Sequence, residues 1–309
     1  MTNPPGNCVT DPLFQRGLSS GYVAIIGKPN VGKSTLMNYF LGKKISITSR
    51  KPQTTRHRIL GIKTTDAAQI VFVDTPGLHI EQKHEMNRVM NSAARNVLGE
   101  VDVVLFLIEA MRWDAEDASV LRQLKALSIP VILVINKIDG IKQKAELLPF
   151  MENLAKQMDF KKVVPISAKT GLQVDDLEKI IIELLPHEGN LFSPEQFTDR
   201  SDRFIASEFM REKLMRLLGD ELPYELTVTV DAMEEEDDIM KISLIIWVGR
   251  ETQKAIVIGK NGLVLKEVGT QARKDLEIYF GKKVLLKSWV KVKSNWSDDL
   301  RALTDFGIN

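Results

Sequence analysis

From Gly21 onward, short apolar runs alternate with longer stretches in which apolar residues recur every three or four positions. The runs YVAIIG (22–27), QIVFVD (69–74), VDVVLFLIE (101–109), PVILVIN (130–136) and KVVPIS (162–167) predict strands buried on both faces. Helical spacing and good helix formers predict helices near 33–41, 85–98, 115–127, 142–158 and 173–184. This alternation predicts an α/β unit, with a mostly parallel sheet, helices on both faces, and ligands at the C-terminal ends of the strands.

The rhythm stops after Leu185. Residues 186–201, PHEGNLFSPEQFTDRS, have two prolines, a glycine and no periodicity, as a linker or a strap would. Next come a helical stretch at 202–218, LTVTV (226–230), MKISLIIWVG (240–249), a further apolar run KAIVIG (254–259), a helical stretch at 262–280, and the alternating strand VLLKSWVKVK (284–293). This second pattern predicts a smaller α+β domain. The expected division is an N-terminal tail 1–20, a first domain 21–185, a linker 186–201, a second domain 202–298 and a C-terminal tail 299–309.

Composition narrows the class. An apolar fraction of 44% beside 27% charged residues excludes disorder throughout. No apolar run reaches the roughly 18–20 residues that span a bilayer, and residues 1–20 lack a signal-peptide core. Cys8 is the single cysteine, which excludes an internal disulfide and fits a reducing cytosol. The net charge of +1 is uninformative about partners, but charge is segregated. Between Arg250 and Lys293 there are 11 Lys and Arg against 4 Asp and Glu, whereas Asp231, Glu234, Glu235, Glu236, Asp237 and Asp238 form an acidic cluster expected in a hairpin.

Four separated motifs carry nucleotide chemistry. GKPNVGKS follows a strand and opens a helix, so Gly27, Lys28, Pro29, Asn30, Val31 and Gly32 can wrap phosphates with backbone N–H groups at a helix N-terminus. Lys33 then reaches the β and γ phosphates and Ser34, followed by Thr35, ligates Mg2+. In DTPG, Asp74 can hold Mg2+ through water, with Thr75 and Pro76 leading to Gly77, whose N–H can meet the γ-phosphate. In NKID, Asp139 can accept the paired N1–H and N2–H2 donors of guanine, Asn136 can bond the guanine carbonyl side or tie loops together, and the stem of Lys137 can cover the ring. In the later SAK, Ser167, Ala168 and Lys169 can bring the Ala168 N–H near guanine O6. The polar stretch 49–58 offers Thr54 or Thr55 as a hydroxyl ligand for Mg2+, and the residues alone leave both open.

The second domain offers VIGKNG, in which Gly259, Lys260, Asn261 and Gly262 form a GxxG loop before a helix. Read alone, this is an ordinary helix-capping turn; in a basic segment it also suits close approach to a nucleic-acid backbone. Lys254, Lys266, Arg273 and Lys274 suit phosphate contact or solvated surface. Ile256, Val257, Ile258, Leu263 and Val264 suit a groove or the core, and Trp289 and Trp296 suit base stacking or packing.

These motifs resemble the translation-factor-related P-loop GTPases, and the chain from Gly21 to about Leu303 resembles the bacterial Era family. The resemblance implies a GTPase domain followed by a KH domain of the bacterial, type II, topology, with GTP or GDP and Mg2+ as ligands. It favours Thr55 over Thr54 as the Mg2+ ligand, and assigns catalysis to Lys33, Thr55 and Gly77. Leu78 stands where Ras-like enzymes carry the water-orienting glutamine, which implies slow intrinsic hydrolysis. His79 and His84 lie nearby as chemically possible bases, disfavoured by their place in a mobile switch. As partners the family implies the 3′ end of 16S ribosomal RNA and the 30S subunit, with peripheral association to the inner membrane. A monomer is the default, and the alternative for the second domain is a protein-interaction module.

Overall fold

In a computed structural model the described residues are 18–49, 51, 54–76, 85–219, 222 and 225–308. Six strands build the first sheet: β1 (Ser19–Ile26), β2 (Ile59–Thr64), β3 (Ala68–Asp74), β4 (Val103–Glu109), β5 (Val131–Asn136) and β6 (Lys162–Pro165). Their spatial order is β2-β3-β1-β4-β5-β6, parallel throughout except for β2, which runs antiparallel to β3. Each apolar strand lies where its run predicts. β2 is an addition: its sequence ILGIKT is short, contains a glycine and ends in polar residues.

Alternate strand residues feed two apolar layers, as the two-residue strand repeat requires. Val23, Ile25, Phe72, Leu105 and Val134 face α1 (Lys33–Leu41) and α5 (Val174–Leu184), where Phe40 and Phe72 stack with centroids 4.4 Å apart. Ala24, Ile26, Val73, Phe106 and Leu133 face the other side, toward α2 (Glu85–Val97), α3 (Ala115–Leu124) and α4 (Leu147–Ala155). Helix α4 is shorter than the 142–158 stretch, which opens instead as loop and a short 3-10 turn.

Residues 186–201 form a strap along the outer edge of the sheet. Ile62 N–H donates to Phe197 O at 3.0 Å, Leu60 N–H donates to Asp199 Oδ1 at 3.0 Å, and buried Gln69 bonds Leu191 and Phe192. The strap satisfies backbone groups that an edge strand otherwise exposes.

The C-terminal unit comprises α6 (Asp202–Leu217), β7 (Leu226–Glu236), β8 (Ile239–Val248), α7 (Glu251–Ile258), α8 (Leu263–Phe280) and β9 (Lys283–Val292). β8 pairs antiparallel with β7 and parallel with β9, and the helices cover one face through Phe209, Val257, Val268, Ala272 and Leu276. The acidic cluster is a hairpin whose two-residue turn places Asp237 and Asp238 at φ 51° and 60°, the primed geometry that matches strand twist. The run KAIVIG is helical: only Val257 of it is buried, and Gln253 Oε1 caps the start by accepting the Gly249 and Arg250 N–H groups.

Residues after 298, expected as a tail, carry α9 (Leu300–Asp305). Ala302, Leu303 and Ile308 pack with Trp296 against Met86 and Met90 of α2, a contact that removes their apolar surface from water. The N-terminal tail with Cys8, and Gly77, Leu78, His79 and His84, lie outside the described residues. Among the described residues no helix is long and apolar enough to cross a membrane.

Candidate functional site

The turn from β1 into α1 wraps a cleft of about 1090 Å3 at the C-terminal ends of the parallel strands. Two glycines are sterically required there. A Cβ on Gly27 would lie 2.3 Å from Leu107 O, and one on Gly32, at φ 107°, would lie 2.3 Å from Asn136 Nδ2. Pro29, Asn30, Gly32, Lys33, Ser34, Thr35, Thr54 and Thr55 line the cleft from one side, with Asn136, Lys137, Asp139, Ala168 and Lys169 on the other. The structure thus gathers residues of the GKPNVGKS, NKID and SAK motifs around one cavity, with Asp74 of DTPG buried directly behind Ser34 and Thr55.

Lys33 Nζ donates to Gly27 O at 3.1 Å and Lys28 O at 3.0 Å, across its own loop. Burial lowers its pKa to about 8, and the charge of Asp74 offsets only part of that. Phosphate oxygens in the loop would raise it again by favouring the charged form, so the buried ammonium suits an anion.

Ser34 Oγ donates to Asp74 Oδ2 at 2.7 Å and lies 3.0 Å from Thr55 Oγ1, which is itself 3.5 Å from Asp74 Oδ2. Ser46 Oγ adds a donor to the same oxygen at 2.7 Å, whereas buried Asp74 Oδ1 has no hydrogen-bond partner. Burial raises the Asp74 pKa, opposed by the Ser34 hydrogen bond and the charge of Lys33. One carboxylate with an unused oxygen and two hydroxyls fits Mg2+, which takes few protein ligands and relies on phosphates for the rest. The two threonines differ in direction: Thr54 Oγ1 turns to Lys51 O at 2.6 Å, and Thr55 Oγ1 faces Ser34.

Asn136 ties loops together. Its Nδ2 donates to Val31 O at 2.7 Å and its Oδ1 accepts the Ala168 N–H at 2.9 Å, so that N–H is already engaged rather than directed at a base. Ser167 Oγ donates to Asp139 Oδ1 at 2.7 Å and aligns an exposed carboxylate at the cleft. Lys137, at φ 68°, pairs with Glu109 at 2.5 Å.

Several expected contacts are placed otherwise. The Lys28 ammonium leaves the cleft for Asp114 and Asp117 at the start of α3, 2.7 Å from Asp117 Oδ2, so only its backbone serves the loop. Val31, Asp74, Thr75 and Ser167 are buried behind the lining; Thr75 Oγ1 bonds Ile25 O at 3.2 Å. Pro76 ends the described part of its loop, and Gly77 falls beyond it. Thr48, Ser49, Lys51, Glu109, Met111, Arg112 and Ile141 to Gln143 also line the cleft. Sequence reasoning named none of them as site residues: Ser49 and Lys51 lie in the polar stretch 49–58 but no motif marks the others, and for Glu109 the end of a parallel strand was the available signal.

In the C-terminal unit the GxxG loop joins α7 to α8. Gly259 has φ 73° and its Cβ would meet Val264 Cγ2 at 2.4 Å, while Asn261 and Gly262 also take positive φ. Lys260 and Lys266 are exposed, as are Arg273, 4.0 Å from Glu277, and Lys274; Lys254 lies 3.6 Å from Glu251. Ile256 (55% exposed) and Leu263 (63%) flank the loop on the surface, whereas Val257 is core and Ile258 and Val264 pack against it. Trp289 is half exposed on β9, but Trp296 is buried, with its Nε1 donating to Glu225 O at 3.2 Å, and is not a stacking platform.

A phosphate loop, a paired hydroxyl and carboxylate site, a guanine-type carboxylate and a helix–GxxG–helix module together define a P-loop GTPase fused to a KH domain. Residues 22–137 match the family model described as 50S ribosome-binding GTPase, and residues 221–297 match the KH domain model. GTPase Era of Coxiella burnetii is 56% identical over 288 residues, covering 93% of this chain and 97% of that protein. GTPase Era of Pseudomonas aeruginosa is 52% identical over 291 residues, covering 94% and 95%. A crystal structure of Era in complex with MgGDPNP and nucleotides 1506–1542 of 16S ribosomal RNA superposes with a TM-score of 0.91 at 41% identity, covering 94% of this chain and 99% of that one. A single-substitution variant of Aquifex aeolicus Era bound to GDP·AlF4- matches equally well, at a TM-score of 0.91. The chain belongs to the Era family of GTPases.

Proposed function

We propose that this GTPase binds GTP and GDP with Mg2+ in the cleft, and grips the 3′ end of 16S ribosomal RNA with its KH domain during assembly and maturation of the 30S subunit. The observation that carries the reading is the meeting of Ser34 Oγ, Thr55 Oγ1 and the Asp74 carboxylate within 3.5 Å, in the cleft that Lys33 and Asp139 also serve. Ser34, Thr55 and Asp74 would hold Mg2+, which when bound neutralises charge on the β and γ phosphate oxygens. Lys33 stabilises the same charge, the Gly27 to Thr35 turn orients the phosphates, and Asp139, aligned by Ser167, selects guanine. Catalysis rests on Lys33, Thr55 and Gly77, with slow intrinsic turnover because Leu78 cannot orient water as a glutamine does.

In this reading residues 21–185 are the nucleotide domain, 186–201 the strap, and 202–298 the RNA domain. Gly259, Lys260, Asn261 and Gly262 contact the RNA backbone, with Lys254, Lys266 and Arg273 beside them. The protein works as a cytoplasmic monomer with peripheral contact to the inner membrane; the support for these last features is family membership.

Binding of a short labelled RNA ending in the small-subunit 3′ sequence, at two salt concentrations and with GDP or a non-hydrolysable GTP analogue, tests the proposal. Gly259→Asp combined with Gly262→Asp should weaken RNA binding at least ~100-fold, about 2.7 kcal/mol, with nucleotide affinity intact. Equal RNA affinity of variant and parent would remove RNA recognition from the KH module.

A further inference from the structure

The loop that carries Thr55 is fastened to the other domain by a helix whose charges are buried. In α6, Glu208 is 4% exposed, Arg211 1%, Glu212 0% and Lys213 5%, although ionised side chains seldom leave water without strong partners. They pair with one another, with Lys44 and with Asp275, and two of them also reach backbone groups of residues 44–58. Glu212 Oε1 accepts the Thr48 N–H at 2.9 Å, and Arg216 Nη2 donates to Thr48 O at 2.9 Å. Lys44 pairs with Glu212 and Asp275, and Lys51 Nζ donates to Leu218 O.

The contact nearest the chemistry is made by Arg211. Its Nε and Nη2 donate to the two Glu208 oxygens at 2.6 Å each, and this bidentate lock fixes the plane of the guanidinium. From that fixed plane Nη2 also donates to Thr54 O, the carbonyl of the peptide that leads into Thr55. One peptide further on, Thr55 Oγ1 faces Ser34 Oγ at 3.0 Å. The described residues of 44–58 form no helix or strand, and three of their backbone groups, Thr48 N–H, Thr48 O and Thr54 O, find their partners on α6, while Asn38 of α1 serves Ile45 and Ser46.

We propose that Arg211, locked by Glu208, is a positioning residue for Thr55, so that the C-terminal domain supplies in cis the order that the loop carrying Thr55 needs to favour GTP over GDP. The proposal rests on the Mg2+ and GTP reading above. Thr55 has a ligand to hold only when γ-phosphate and Mg2+ are both present, so its order contributes to GTP affinity and not to GDP affinity. An α6 that keeps Thr54 O in place lowers the cost of that ordering. Coupling is reciprocal: whatever pulls α6 from the loop weakens GTP, and GTP holds α6 on the loop.

The test measures affinities of the full chain for a fluorescent non-hydrolysable GTP analogue and for fluorescent GDP, both with Mg2+, in the parent, Arg211→Met and Arg211→Lys. Arg211→Met should reduce the GTP-analogue to GDP affinity ratio by roughly 5- to 50-fold, a typical coupling range, with GDP affinity within about twofold of the parent. Arg211→Lys, which keeps the charge but not the fork, should recover part of the ratio. Because Arg211→Met strands the Glu208 carboxylate, the double variant Glu208→Leu with Arg211→Met is measured alongside; it removes both charges and should show the same lowered ratio. An unchanged ratio in the folded variants, or equal loss of both nucleotides, overturns the positioning role. Failure of the parent itself to bind guanine nucleotides would instead sink the functional reading on which it rests.

Discussion

At the scale of single residues the cleft is built from groups that hold one another in place. Ser167 orients Asp139, Asn136 bridges the phosphate loop and Ala168, and Thr55 is turned toward Ser34. Asp139→Asn should therefore lower GTP affinity roughly 100-fold, the scale of two charge-assisted hydrogen bonds, and raise relative affinity for xanthine nucleotides. Competition between the two nucleotide types measures it, and undiminished GTP preference would contradict guanine selection by this carboxylate. Most of the described residues that motif spacing identifies lie at or directly behind the cleft, because phosphate and base recognition need particular side chains at particular strand ends. Lys28 is an exception: the motif fixes its place in the chain, but the direction of its ammonium was decided by Asp114 and Asp117, some 86 and 89 residues away.

Elements were legible where burial imposes a clear period. The doubly buried strands β1, β3, β4 and β5 and the helices α1, α5, α6 and α8 lie within a few residues of their predicted spans. KAIVIG was ambiguous, since four consecutive apolar residues fit a strand or a turn of helix equally, and the capping by Gln253 that makes it helical is not an apolar pattern. β2 and α9 escaped for a related reason: each is short, β2 has a glycine among its three apolar residues, and those of α9 find their partners on distant α2. The acidic hairpin is an element with a testable local cost. Asp238 holds φ 60°, where a Cβ is unfavourable and glycine is not, and its ion pair with Lys282 is a long surface contact of 3.8 Å. Asp238→Gly should raise stability by about 1 kcal/mol, read as a higher urea midpoint at constant slope; a lower midpoint would show that chain entropy or lost charge dominates at this turn.

Across the whole molecule the two domains share a continuous apolar core and an ionic seam. Lys44, from the first domain, and Lys213 meet Glu212 and Asp275 of the second, with Lys213 Nζ 2.5 Å from Asp275 Oδ2. Burial raises the pKa of both carboxyls, but the lysines outweigh it and hold Glu212 and Asp275 below their ordinary values. A folded pKa below the unfolded one contributes stability that is complete above the unfolded value and is lost as pH falls through the folded value. The docked state should thus weaken below about pH 4, where free carboxyls begin to protonate. Asp275→Asn should flatten that part of the profile, followed by hydrogen exchange in residues 44–58; a profile as steep as the parent's would place the acid response elsewhere. The sequence by itself determined two domain types, the strands and helices with strong periods, and the residues of the phosphate, metal and base motifs, because each is encoded in local spacing and chemistry. The tertiary structure alone decided that Thr55 and not Thr54 faces Ser34, that Lys28 turns to α3, that the last residues fold onto α2, and that α6 grips the loop of the cleft. Those outcomes depend on which distant groups complete a buried charge or an unsatisfied backbone group, and spacing along a chain does not contain that information.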